Sequence, residues 1–213
     1  LVAIPWPSDD ALHTAADKRA TFAQAAAARL PVPEMTELTR ARTASALGGL
    51  SYPVVIKPHR SLVAGRKIGV TYAQTAEQLA AVLAELPVGA YPVLLQQRIV
   101  GPGEGYFAVY DRGRPVLESA HRRCREMPPS GGVSTLREAI AVPADVRTMA
   151  RTLLDRWQWH GPAMVEFKRG QDGRAYLMEV NGRLWGSLQL AVDAGANVPL
   201  ACAQVALGER FVP

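Results

Sequence analysis

Apolar positions along the chain alternate between helical spacing and short strand-like runs. Residues 1–8 carry prolines at positions 5 and 7 and read as extended. Asp17–Leu30 is alanine-rich and reads as a helix, its opening acid suiting the positive end of the helix dipole. Pro31-Val-Pro33 stops it. Residues 34–50 read as a short strand and then a helix ending at Gly48-Gly49. From Ser51 the spacing becomes strand-like. Tyr52-Pro-Val-Val-Ile-Lys57-Pro58 is a short buried strand closed by proline, followed by a polar loop, His59–Gly69, and a strand at Val70–Tyr72. Thr75–Leu86 places Leu79, Val82, Leu83 and Leu86 on one helical face, and Val93–Gln97 is the next strand.

The second half repeats the mixture. Gly105–Tyr110 and Pro115–His121 form a hairpin, and residues 122–135 read as a Pro/Gly/Arg-rich loop. A helix runs from about Ala144 to Trp157, and two more lie near Ser187–Ala194 and Pro199–Leu207, the last ending at Gly208. The fold class is therefore α+β. Segment 1–35 leads in, 36–97 forms a small unit, and 98–213 forms a larger one.

Between the helices of the larger unit lies the most informative stretch, two apolar runs around Arg-Gly-Gln-Asp172-Gly173-Arg. Asp-Gly in that setting signals a two-residue hairpin turn. Partner residues then have numbers summing to 345, so Glu166 faces Glu179. Alternation puts Met164, Glu166, Glu179 and Asn181 on one face, and Val165, Phe167, Met178 and Val180 on the other. Like charges facing each other destabilise a sheet unless a cation lies between them. Oxygen ligands of this kind suit magnesium, which is held by one or two carboxylates together with substrate phosphates. The alternative is a polar hairpin face that simply meets water.

Composition narrows the partners. At 213 residues and 48% hydrophobic the chain can bury a substantial core. No apolar run reaches membrane-spanning length, so no membrane partner is expected. Cys124 and Cys202 lack zinc or disulfide spacing, which suits a reducing cytoplasm. The net charge of +5 suits a cleft that attracts phosphates or carboxylates. Its basic residues are dispersed apart from Arg122-Arg123-Cys-Arg125, so nucleic acid is not expected as a partner.

Several residues join the acid pair as candidates. Lys57 closes a buried strand and either ends in solvent or reaches into a cleft as a compact charge on phosphate. Lys18, near a helix N-terminus, opposes the dipole, a mild cost that either reflects simple exposure or serves a function. The loop with Ser61, Gly65, Lys67 and Gly69 is either a plain hairpin or a flap over phosphates. Arg122 and Arg125 either belong to a solvated basic loop or clamp a substrate carboxylate in bidentate fashion. Arg183, beside the acids, could steady charge on a transferred phosphoryl group.

The order of these parts resembles the ATP-grasp fold of carboxylate–amine or carboxylate–thiol ligases. The resemblance rests on Asp17-Lys18, Val-Val-Ile-Lys57-Pro58, and Glu179-Val-Asn181-Gly-Arg183-Leu-Trp-Gly186-Ser. Within that family, His121–Gly132 and Trp185–Gly195 are similar to bacterial carboligase-like proteins. The resemblance implies two α+β lobes gripping ATP, with magnesium or manganese on Glu166, Glu179 and Asn181. It implies phosphate contacts for Lys18 and Lys57, an adenine hinge at Gln96, Gln97 and Ile99, and a ribose contact at Glu104. The implied reaction activates a small-molecule carboxylate as an acyl phosphate, which an amine or thiol then captures. Carboxylation or phosphorylation of a small molecule, as in biotin-carboxylase-like and carbamoyl-phosphate-synthase-like relatives, is the alternative, and ATP binding without turnover is another. Family members commonly form dimers, so a homodimer is one expected assembly. Two departures stand out. The N-terminal domain usual in the family is not among these residues, so the expectation is either a piece of a longer protein or a domain supplied elsewhere, and the hinge reads Gln96-Gln97 where relatives often place an acid after the first glutamine.

Overall fold

Two antiparallel sheets divide the work of the chain in the computed structural model, which describes residues 4–40, 49–60, 62–127 and 133–211. Helices α1 (Asp9–Ala16) and α2 (Lys18–Ala27) come first. The small sheet contains β1 (Met35–Leu38), β2 (Val54–Pro58), β5 (Thr71–Ala73) and β6 (Val93–Gln97) in the order β1-β6-β2-β5. A separate hairpin, β3 (Leu62–Val63) and β4 (Arg66–Lys67), projects between β2 and β5. Helix α3 (Ala76–Glu85) closes this half of the chain. The large sheet runs β11-β10-β7-β8-β9. Its strands are β7 (Gly103–Asp111), β8 (Arg114–Met127), β9 (Val133–Ile140), β10 (Gly161–Arg169) and β11 (Ala175–Asn181). Helix α4 (Ala144–Arg156) precedes β10, and α5 (Leu188–Asp193) and α6 (Val198–Leu207) follow β11.

The period-two pattern decides which side chains reach the cleft. In the small sheet Val54, Ile56, Val93 and Leu95 pack with Leu79 and Leu83 of α3. Alternation therefore turns Val55, Lys57, Leu94 and Gln96 to the opposite face, where β2 and β6 pair Val55 with Gln96 and Lys57 with Leu94. In the large sheet Tyr106, Ala108, Val165, Phe167 and Leu177 pack against α4. That helix buries Val146, Met149, Ala150, Leu153 and Leu154, a spacing that keeps one apolar stripe on the sheet. The other face of the large sheet carries Phe107 and Met164, covered by Trp185, Ala191 and α6 at one end. Its remaining length presents the residues of the candidate site.

Differences from the expected elements have local causes. The expected helix from Asp17 is preceded by a second one, because Ser8 accepts from the Ala11 N–H and starts α1. Asp17 separates the two and caps α2 by accepting from Arg19 N and Ala20 N. The segment expected as a loop over 122–135 is largely strand: β8 continues to Met127 and β9 begins at Val133, with 128–132 outside the described residues. The helix expected before Gly48-Gly49 falls on 41–48, also outside them. The turn at Asp172-Gly173 is longer than a two-residue hairpin. Gly170 N–H donates to Arg174 O at 2.8 Å and Gly173, with φ 78°, donates to Gly170 O at 3.0 Å. A bulge between Glu166 and Phe167 then restores the expected register, so Glu166 pairs with Glu179 and Met164 with Asn181. Beyond the bulge Phe167 pairs with Leu177, and Leu177 takes the core position expected for Met178.

Candidate functional site

Neighbouring strands β10 and β11 bring two carboxylates side by side, and cations from three other elements converge on them. Lys18 is the first residue of α2; its backbone N–H donates to His59 O at 3.0 Å, which ties α2 to the end of β2. Its ammonium reaches Glu179 Oε1 at 3.1 Å. Arg123, on β8, sets one guanidinium nitrogen 2.7 Å from Glu166 Oε2 and the other 3.2 Å from Glu126 Oε1. Lys168 lies 3.5 Å from Glu126 Oε2 and donates to Gly101 O at 3.4 Å. Arg183 is exposed, donates to Leu184 O at 3.2 Å, and is close enough to favour the charged form of Glu166.

Lys57 approaches the same acids from the small sheet. It is buried, and among the described residues it makes no ion pair. Burial is the main reason its pKa falls from 10.5 to about 8; the charge of Lys18 lowers it further, while Glu179 and Glu166 act the other way. Burial likewise pushes the Glu166 carboxyl up; Arg123 opposes the shift and the neighbouring Glu179 adds to it. An ammonium held dry without a counter-ion calls for an anion. Gln96, facing the same side as Lys57, is buried and its amide nitrogen has no hydrogen-bond partner.

The donor chemistry fits magnesium. Among the described residues no cluster of three or more His, Cys, Asp or Glu side chains could cage a metal. Glu166, Glu179 and the amide of Asn181 instead offer oxygens along one sheet face, and the Asn181 nitrogen lacks a partner. Two carboxylates and an amide leave coordination positions for phosphate oxygens and water, the arrangement a magnesium nucleotide requires.

The remaining expected residues divide. Gln97 is exposed, its side-chain oxygen accepting from Glu34 N at 3.5 Å, and Ile99 lies half-buried in the connection between the sheets. Glu104 pairs in register with Phe167 and Arg122, on the α4 face of the large sheet. There Arg169 grips it at 2.6 and 3.3 Å, away from the acid pair. Arg122 shares that opposite face and bonds Glu138 at 3.0 Å. Arg125 is exposed and borders a groove with Gly103, Arg123 and Glu126. Lys67 pairs with Leu62 through the backbone, and its side chain lies outside the described residues, as does Ser61. The turn between them holds Ala64 at φ 46° and Gly65 at φ 75°, the backbone of a tight two-residue hairpin.

Arg123, Lys168, Glu126 and His121 complete the cluster without having been singled out by residue pattern. The missing signal was the length of β8. Once that strand runs to Met127, the pairing of His121 with Gly105, itself opposite Glu166, turns Arg123 rather than Arg122 towards the acids.

The fold is that of the ATP-grasp proteins. Residues 111–213 match the family model described as "ATP-grasp in the biosynthetic pathway with Ter operon". No curated protein matches the chain. Among solved structures, the biotin carboxylase–β,γ-ATP complex of Campylobacter jejuni superposes with TM-score 0.78 at 18% identity, over 98% of this chain and 49% of that one. The biotin carboxylase domain dimer of the Hydrogenobacter thermophilus 2-oxoglutarate carboxylase, in complex with MgADP, ADP and bicarbonate, gives TM-score 0.77 at 14% identity, over 98% and 49%. The D-alanine–D-alanine ligase of Bacillus anthracis complexed with ATP gives 0.66 at 19%, over 96% and 70%. The chain thus spans about half the length of these carboxylases. Among the described residues no helix is long and apolar enough to cross a membrane.

Proposed function

We propose that the chain is the ATP-binding catalytic unit of a magnesium-dependent ligase, acting in the cytoplasm, that activates a carboxylate as an acyl phosphate and joins it to an amine or thiol. The observation that carries this reading is Lys57, a buried ammonium without an ion pair among the described residues, facing two adjacent carboxylates. Phosphate answers the lysine, and a divalent cation answers the acids. Proteins with this fold are solved in complex with ATP and with MgADP, which supports a magnesium nucleotide as the ligand.

Each residue then has a task. Lys57 and Lys18 hold phosphate oxygens as point charges, and Gln96 donates its unpartnered amide hydrogen to the adenine beside the Gln97–Ile99 hinge. Magnesium on Glu166, Glu179 and Asn181 supplies charge neutralisation on the phosphates when bound. Arg123 and Arg183 stabilise the charge that builds as the substrate carboxylate attacks the terminal phosphorus, and Arg125 helps position that carboxylate. The β3–β4 hairpin closes over the phosphates and keeps water from the acyl phosphate, whose hydrolysis is the competing reaction.

The test is an ADP-release screen of the full-length protein with paired carboxylates and amines, with products identified by mass spectrometry. Ligation predicts magnesium-dependent ADP release that needs both partners. Release that needs only bicarbonate favours the carboxylating alternative, and ATP binding without release across the panel refutes the enzymatic reading.

A further inference from the structure

We infer that a cavity beside the acid pair receives an uncharged, apolar side chain of the substrate. This assignment rests on the ligase reading and names its substrate class. The cavity has a volume of about 420 Å³, within the roughly 300–1,000 Å³ usual for small-molecule sites. It opens on the same face of the large sheet as the acids. His121 on its wall pairs with Gly105, and Gly105 pairs with Glu166. His121 is thus two strands from Glu166, about 10 Å at ordinary strand spacing. A side chain a few bonds from a reacting group spans that distance.

Most of the lining side chains are apolar. Phe107 forms the floor, its ring centroid 4.4 Å from both His121 and Trp185. Ala139, Ala191, Ala194 and Ala196 contribute short side chains where longer ones would fill the space. His121 is buried and its pKa is pushed down to about 4, chiefly by desolvation and then by Arg123 and Arg137, so it is neutral at physiological pH. Glu118 and Arg147, at the border, are 3.6 Å apart, and Glu118 is also held by Arg151. Glu118 is thus held by two arginines, while among the described residues the Nε of Arg147 makes no hydrogen bond.

The experiment compares L-phenylalanine and L-leucine with L-lysine and L-glutamate, by ADP release and by calorimetric binding in the presence of magnesium and a non-hydrolysable ATP analogue. N-acetyl-L-phenylalanine offers only the carboxylate and L-phenylalaninamide only the amine, so these two arms show which reactant fills the cavity. Ala139 and Ala194 are exposed at its mouth, so Ala139→Leu and Ala194→Leu narrow it without entering the core. The apolar probes should bind at least about tenfold more tightly than the charged ones, and each leucine variant should lose about tenfold of that binding with ATP affinity unchanged. Equal binding of charged and apolar probes, or full retention of apolar binding in both leucine variants, overturns the assignment. Absence of ADP release with every probe counts against the ligase reading alone, and calorimetry still decides the cavity.

Discussion

Part of the weakening of this fold by acid should come from His121, and by a predictable amount. His121 is buried against Phe107, with Nδ1 3.2 Å from Ser187 Oγ. Its pKa falls from 6.5 to about 4, with desolvation the largest cause and the charges of Arg123 and Arg137 next. Between those two values the unfolded chain takes up a proton that the folded chain refuses, so stability drops as pH falls from 6.5 towards 4 and is flat in this respect above 6.5. At about 1.4 kcal/mol per pH unit of displacement the full effect is about 3 kcal/mol, and closer to 2 because the ring borders an open cavity. The perturbation is His121→Asn, which removes the titration. Urea unfolding at pH 7 and pH 4.5 reads the difference. The variant loses packing at both pH values, but its stability should fall by about 2 kcal/mol less than that of the natural protein between them. Titrating carboxylates such as Glu118 and Asp145 contribute equally to both proteins and cancel. Equal losses on acidification would refute the argument that His121 is held neutral by its surroundings.

Two further expectations follow from the backbone. Gly101 connects the two sheets at φ 150°, and a Cβ there would lie 1.8 Å from Arg169 O, so Gly101→Ala should cost at least about 2 kcal/mol in urea unfolding and weaken nucleotide binding together. Asp17→Ala removes the cap of α2 and should cost about 1 kcal/mol, with a measurable loss of ATP affinity because Lys18 is the next residue. Unchanged nucleotide binding in both variants would separate the backbone from the site.

How much of this was legible in the residues depends on how strongly each segment is patterned. Strands such as Val54–Pro58 and Val93–Gln97 are short apolar runs bounded by breakers, and the pattern locates them to within a residue or two. The edge strand β9 reads Val-Ser-Thr-Leu-Arg-Glu-Ala-Ile, polar enough at its exposed positions to look like loop. The buried residues of helix α1, Ala11 and Ala15, are alanines that mark a stripe only weakly, and Ser8 is its clearest start signal. The acid pair was legible because a face-to-face register needs only the strands and a turn; two irregularities, a longer turn and a bulge, cancel at Glu166 and leave the pairing intact. Arg123 was not legible, because choosing it over Arg122 requires knowing that β8 extends past His121. Nor could pattern reveal that Glu104 faces α4 and is held by Arg169, since that depends on its pairing with Phe167 across two strands.

In the proposed function the Glu166–Glu179 face and the buried lysine opposite it form one site for a magnesium nucleotide. Isothermal calorimetry of a non-hydrolysable ATP analogue, with and without magnesium, tests it most directly on the natural protein and on Glu179→Gln and Asn181→Ala. Magnesium should strengthen binding to the natural protein, and each substitution should remove most of that gain, at least about tenfold for Glu179→Gln, where a charged ligand is lost. Binding that is equally strong, and equally dependent on magnesium, in all three proteins would contradict it.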